Sequence, residues 1–164
     1  MVRGFEILGG YDGIHLPTRK TAFSAGYDLE AAENIRVTDK KISLVPTGLK
    51  AFFPADEVLL IYLRSSIAVK HNLFLANGVG VIDADYRDHI ILPVISLGGE
   101  FEIKRGMRIA QGIFQKYLTV DGDKIGVGEV RRGRFGSTGD FYRNGDKKCL
   151  QKQHTIIFQK NLTQ

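Results

Sequence analysis

The residues best equipped for chemistry in this chain sit in one short run, Gly80-Val81-Ile82-Asp83-Ala84-Asp85-Tyr86. An apolar stretch ends there in two carboxylates and a phenol. In an extended strand alternate side chains share a face, so Asp83 and Asp85 are expected on one side. Carboxylates so placed repel unless water, a cation or a proton separates them. Such a pair suits a solvated turn, or a site that manages a metal or activates a water. Four other runs carry comparable groups. Ala25–Leu29 (AGYDL) sets Asp28 just after a glycine, and Leu63–Ala68 (LRSSIA) ends a strand-like run in Arg64, Ser65 and Ser66. Gly106–Gln111 (GMRIAQ) offers an amide at the start of an apolar run. Arg131–Gly139 (RRGRFGSTG) joins three arginines, small residues and Phe135, a composition able to wrap a polyphosphate while the ring stacks on a base. Singly, each run has an ordinary reading as a turn, a capped helix start or a solvated tail.

The elements that must hold these groups are short strands. Gly, Asp and Asn break the chain into runs rich in Val, Ile, Leu, Phe and Tyr, such as Lys41–Val45, Val58–Leu63, His89–Ile95 and Ile109–Lys116. That spacing predicts an all-β sandwich or barrel. Ser65–His71 is the one short helix expected, with Ser65 or Ser66 as its cap. The chain shows no internal repeat and no proline-rich linker.

With 164 residues the chain suits one domain whose core needs no staple. A single cysteine, Cys149, excludes an internal disulfide and points to the cytoplasm. No apolar run approaches a membrane span, and the amino terminus lacks a signal-peptide pattern. The net charge of +5 is concentrated beyond residue 130 and reads as a solvated basic tail. A nucleic-acid-binding module would account for that charge but not for the ordered acidic runs.

The order of the five runs is more telling than any one of them. AGYDL, RSSIA, NGVGVIDADY, GMRIAQ and RFGSTG in series resemble the five motifs of the homotrimeric deoxyuridine triphosphatases, from about Ala25 to Gly139. The resemblance implies a jelly-roll-like, distorted β-barrel that assembles as a trimer. It also implies magnesium-assisted hydrolysis of dUTP to dUMP and pyrophosphate, which keeps uracil out of DNA and supplies dUMP for thymidylate synthesis. Residue by residue, Asp83 matches the carboxylate that polarises the water attacking the α-phosphorus. Tyr86 matches the ring that packs on deoxyribose and excludes a 2′-hydroxyl. Asn77, with the backbone of a Gly80–Val81–Ile82 hairpin and Ile91 nearby, matches the uracil reader, too narrow for a 5-methyl group. Arg64, Ser65, Ser66 and Gln111 match phosphate binders, and Asp28 matches the acid that holds magnesium through water. Arg131 or Arg132, Phe135, Gly136, Ser137 and Thr138 match the fifth motif, a lid expected to close over bound nucleotide.

The second motif has Leu63 in place of its usual proline and Ser66 in place of a common glycine. In the fifth, Arg134 replaces the glycine beside Phe135, so the arginine on the γ-phosphate is either Arg131 or Arg132. The expected organisation is a core over 1–130, the lid over 131–139, and an extension over 140–164 that could hold a protein partner. Two other readings keep the same scaffold. A regulatory protein would bind its partner through the extension. A dCTP deaminase needs a carboxylate where Pro93 stands, and proline cannot move protons.

Overall fold

The computed structural model describes residues 2–127. The strands are β1 (Gly4–Ile7), β2 (Tyr27–Glu30), β3 (Ile35–Val37), β4 (Ser43–Pro46), β5 (Leu49–Phe52) and β6 (Glu57–Leu63). After helix α1 (Ser65–His71) come β7 (Leu73–Leu75), β8 (Gly80–Ile82), β9 (Ile91–Ser96), β10 (Phe101–Ile103) and β11 (Arg108–Lys116). All pairings are antiparallel. One sheet runs β2-β11-β6-β8, a second runs β4-β9-β7, and β1-β5 and β10-β3 form two-stranded ribbons. The architecture is the all-β, jelly-roll-like one that the strand spacing and motif order imply.

Alternation along the strands decides which face is buried. On β6, Leu59 and Ile61 are fully buried while Val58, Leu60 and Tyr62 are half-buried on the opposite face. Leu29, Val37, Val45, Leu49, Leu73, Val94, Ile103 and Ile109 complete a core closed to water. Each such side chain contributes roughly 1.5–3 kcal/mol relative to exposure. Phe5, Tyr27, Phe53 and Phe114 add a ring cluster with neighbouring centroids 5.4–6.1 Å apart. Near it, Arg3 bonds the Glu57 carboxylate at 2.8 Å through Nε, tying the N-terminal strand to β6. The Arg3 guanidinium holds the Glu57 carboxyl below its ordinary value, chiefly through that hydrogen bonding.

The helix spans the residues expected but starts differently. Neither serine caps it. The N-cap is Arg64, which makes no side-chain capping bond; its carbonyl accepts the Ile67 and Ala68 N–H groups at 2.9 and 3.2 Å. Only Ile67 is buried, so a helix this short stands by docking that one side chain rather than by propensity. Asn72 ends it in the left-handed region at φ 52°, its N–H on the Ala68 carbonyl.

Candidate active site

Between β7 and β8 the chain leaves one sheet and joins another. β7 pairs with β9, whereas β8 pairs with β6, so the segment expected as a hairpin is instead a crossing between sheets. Its backbone is fixed by three bonds: Ala76 N–H to Pro93 O at 2.8 Å, Gly78 N–H to Leu75 O at 3.0 Å, and Val79 N–H to Asn77 O at 2.8 Å. Gly78 turns the chain at φ +71°, a conformation that favours glycine. Gly80 lies opposite Ile61, and a Cβ there would sit 3.1 Å from the Ile61 Cβ. A cavity of about 300 Å³ opens at this seam. Its lining includes Asn77, Gly80, Val81, Ile82, Tyr86 and Ile91, all six of which the family resemblance implies as substrate-binding. Pro93 also lines it, at the position where a deaminase would need its acid.

The two carboxylates after β8 do not continue a strand. β8 ends at Ile82, and Asp83–Tyr86 is a turn closed by Tyr86 N–H to Asp83 O at 3.0 Å. Asp83 and Asp85 are both exposed on this turn, so strand alternation does not fix their relative direction. The turn sets Asp83 between β8 and Tyr86, next to the cavity lining. The Tyr86 hydroxyl donates to the His89 carbonyl at 2.7 Å, which fixes the far end of the ring.

A second group of polar residues gathers at the other edge of the four-stranded sheet. Gln111 on β11 pairs with Asp28 on β2 and with Tyr62 on β6, so these side chains share the outward face. From β2 to β8 is three strand spacings, roughly 14 Å. Asp28 sits between two guanidiniums, Arg64 Nε at 3.2 Å and Arg108 Nη1 at 2.9 Å, and Arg64 also donates to the Arg108 carbonyl at 3.0 Å. A β-bulge creates this arrangement. The register slips between Arg108 and Ala110, Ile109 and Ala110 are both buried, and Arg108 therefore emerges on the Asp28 side. Gly26 is needed because Gln111 lies across it: a Cβ there would fall 2.5 Å from the Gln111 Oε1. Ser65 and Ser66 follow Arg64 in the first turn of α1, Ser65 exposed and Ser66 half-buried.

The structure therefore brings together Arg64, Gln111 and Asp28, which the motifs single out, with Gly26 and Arg108, which the sequence reading passed over. The signals were present. Gly26 directly precedes a strand that carries an acid, and Arg108 stands three residues before the amide. What was missing was the bulge, which simple alternation does not reveal. Arg131, Arg132, Phe135, Gly136, Ser137 and Thr138 lie outside the described residues.

No group of three or more His, Cys, Asp or Glu side chains that could hold a metal occurs among the described residues. Asp28 is the carboxylate at the polar edge, and both its oxygens face guanidinium nitrogens. These residues do not fit a metal held by protein ligands alone. A hydrated magnesium carried on a polyphosphate would need no such cluster, because this hard cation keeps water and phosphate oxygens as its ligands. No helix among the described residues is long and apolar enough to cross a membrane.

The all-β fold thus carries a cavity at a sheet seam, a carboxylate on the turn beside it, and two guanidiniums at the far edge of the larger sheet. The comparisons with known proteins make this specific. The dUTPase family model matches residues 12–139. The chain is 45% identical over 147 residues to the deoxyuridine 5′-triphosphate nucleotidohydrolase of Lactococcus lactis, covering 84% of this chain and 98% of that protein. It is likewise 45% identical over 131 residues to the Rickettsia prowazekii protein of the same name, covering 76% and 88%. Among solved structures, the dUTPase from Streptococcus mutans superposes with a TM-score of 0.69 at 41% identity, over 73% of this chain and 99% of that one. The dUTPase of Staphylococcus bacteriophage 80alpha, at 19% identity and a TM-score of 0.65, shares the fold. The chain belongs to the dUTPase family.

The Gly26–Gln111 contact yields a direct test. Gly26→Ala should push the Gln111 amide off the strand, raising KM for dUTP severalfold with little change in melting temperature. Steady-state kinetics with a thermal melt check this; an unchanged KM would show that Gln111 does not need the space.

Proposed function

We propose that this chain hydrolyses dUTP to dUMP and pyrophosphate by attack of water on the α-phosphorus. The observation that carries the reading is the seam cavity, whose lining is the uracil- and sugar-reading set of the family, with Asp83 on the turn that leaves it. Uracil enters between β8 and β9. The Asn77 amide can both donate and accept, and the β8 backbone supplies further partners. The Gly80–Ile82 backbone that reads the base leaves no space for a 5-methyl group, as the family resemblance implies. Tyr86 lies under the deoxyribose and blocks a 2′-hydroxyl. Asp83 accepts a proton from the attacking water, and the new P–O bond forms as the bond to pyrophosphate breaks. Arg64, Arg108 and Gln111 bind phosphate oxygens, and Arg64 stabilises charge developing on the leaving group. Magnesium bound to the triphosphate would neutralise part of its charge and orient it, with Asp28 meeting it through water.

The same reading places three copies around each set of sites in a cytoplasmic enzyme. Its support is apolar surface that one copy leaves wet. Leu60, Ile113 and Val81 lie in one row on the outward face of the larger sheet. On the smaller sheet Leu44 stands opposite Pro93 and Phe74 opposite Ile95, with Leu44 and Phe74 exposed. Contiguous faces of this kind mark association surfaces. Residues 131–139 then supply phosphate contacts from Arg131 or Arg132 and a uracil contact from Phe135, and 140–164 remain available to a protein partner.

Pyrophosphate release from dUTP, dCTP, dTTP and UTP tests the activity. Only dUTP should be turned over well, a chain ending at residue 130 should retain little turnover, and Asp83→Asn should abolish it while still binding nucleotide. Near-native turnover by Asp83→Asn would remove Asp83 as the base. Light scattering should give three times the monomer mass; an active monomer would contradict the assembly.

A further inference from the structure

His89 lies outside every motif used above, yet it is buried, with 5% of its surface exposed. Its Nε2 accepts the backbone N–H of Gly48 at 2.8 Å, so that nitrogen carries no proton and the neutral ring carries its proton on Nδ1. The Tyr11 ring packs on it with centroids 4.9 Å apart. Gly48 occupies the turn between β4 and β5 at φ +69°, and a Cβ there would collide with Ile14 and Tyr11. The acceptor on His89 is therefore aimed at an amide whose position is itself fixed. The neighbours repeat the attachment: Thr47 Oγ1 donates to Ile90 O at 2.7 Å, and Ile90 N–H donates to Leu49 O at 2.8 Å.

The carbonyl of this same His89 accepts the Tyr86 hydroxyl at 2.7 Å. A continuous path thus runs from the β4–β5 turn through the imidazole and its own backbone to the tip of the Tyr86 ring. We propose that His89 is a positioning residue for sugar selectivity: by gripping Gly48 it holds its carbonyl where Tyr86 is tethered, and so keeps the ring stiff enough to reject a ribose. This rests on the reading that Tyr86 excludes the 2′-hydroxyl. A ring anchored only at Cα can swing aside to admit one more oxygen; a ring anchored at both ends cannot do so without breaking a hydrogen bond. Rejection by a fixed wall depends on that stiffness, whereas binding of the smaller sugar does not.

The test compares kcat/KM for dUTP and UTP in the trimeric enzyme. Tyr86→Phe keeps the ring and deletes the tether. His89→Leu keeps bulk but leaves the Gly48 N–H without its acceptor. His89→Gln restores an acceptor near the place of Nε2. Tyr86→Phe and His89→Leu should each lower dUTP-over-UTP selectivity about tenfold, mainly through faster UTP turnover. The double variant should lose little more than either alone, because both cut one path. His89→Gln should recover most of the selectivity. The inference is overturned if Tyr86→Phe retains full selectivity, a result that stands even if His89→Leu fails to fold. It is also overturned if His89→Leu slows both substrates in parallel. Tyr86→Ala separates the two claims. If it relaxes selectivity while Tyr86→Phe and His89→Leu do not, only the positioning role fails. If it does not, the reading of Tyr86 fails and His89 falls with it.

Discussion

The seam cavity depends on how closely Gly80 approaches Ile61. β8 joins the edge of β6 with Gly80 opposite Ile61, where an added Cβ would lie 3.1 Å from the Ile61 Cβ and force the strands to give, and that pairing carries the chain out of the smaller sheet into the larger one. A crossing between sheets leaves backbone N–H and C=O groups outside any ladder, which a buried loop could not tolerate without partners. Here Ala76, Gly78 and Val79 give their N–H groups to Pro93, Leu75 and Asn77, and Asn77 and Val79 line the cavity. The seam thus sets a side-chain amide inside a largely apolar wall, a combination that suits a small planar base. The Asp83–Tyr86 turn follows after two more residues, so the groups proposed to read the base, accept the proton and support the sugar come from one continuous stretch.

The proposed phosphate end is built on a different principle. Its groups come from two strands and the N-cap of α1, and charge rather than shape brings them together. Asp28 neutralises part of the repulsion between Arg64 and Arg108 and fixes both guanidiniums before any phosphate arrives. Preorganised donors of this kind need no reorganisation as charge develops, which is where electrostatic catalysis is most effective. The bulge at Ile109 is what makes the trio possible. Without the slip, Arg108 would point toward the core and Asp28 would hold one partner fewer.

Much of this was legible in the sequence. Periodicity and turn residues gave β4, β6, β9 and β11 to within two residues, though not the shorter strands between them, and Ser65–His71 gave the helix with its bounds. The family resemblance named part of the cavity lining, including Ile91 and Asn77, which no local pattern singles out, but not its apolar back formed by Ile61, Leu75, Ile90 and Leu92. The misses share a cause. The Asp83–Tyr86 turn, the bulge at Ile109 and the crossing after Leu75 all interrupt alternation, and alternation is the premise of strand reading. The serines looked like caps because their chemistry suits one, yet the chain enters the helix through the Arg64 backbone. His89 reads as the first residue of a strand; its role depends on Gly48, forty-one residues away.

Isotope placement tests the central claim most directly. If Asp83 delivers water to the α-phosphorus, hydrolysis of dUTP in ¹⁸O-labelled water must put the label in dUMP and leave the pyrophosphate unlabelled. Label in the pyrophosphate would mean attack on the β-phosphorus, and the arrangement of Asp83 beside the sugar platform would then not be the catalytic one.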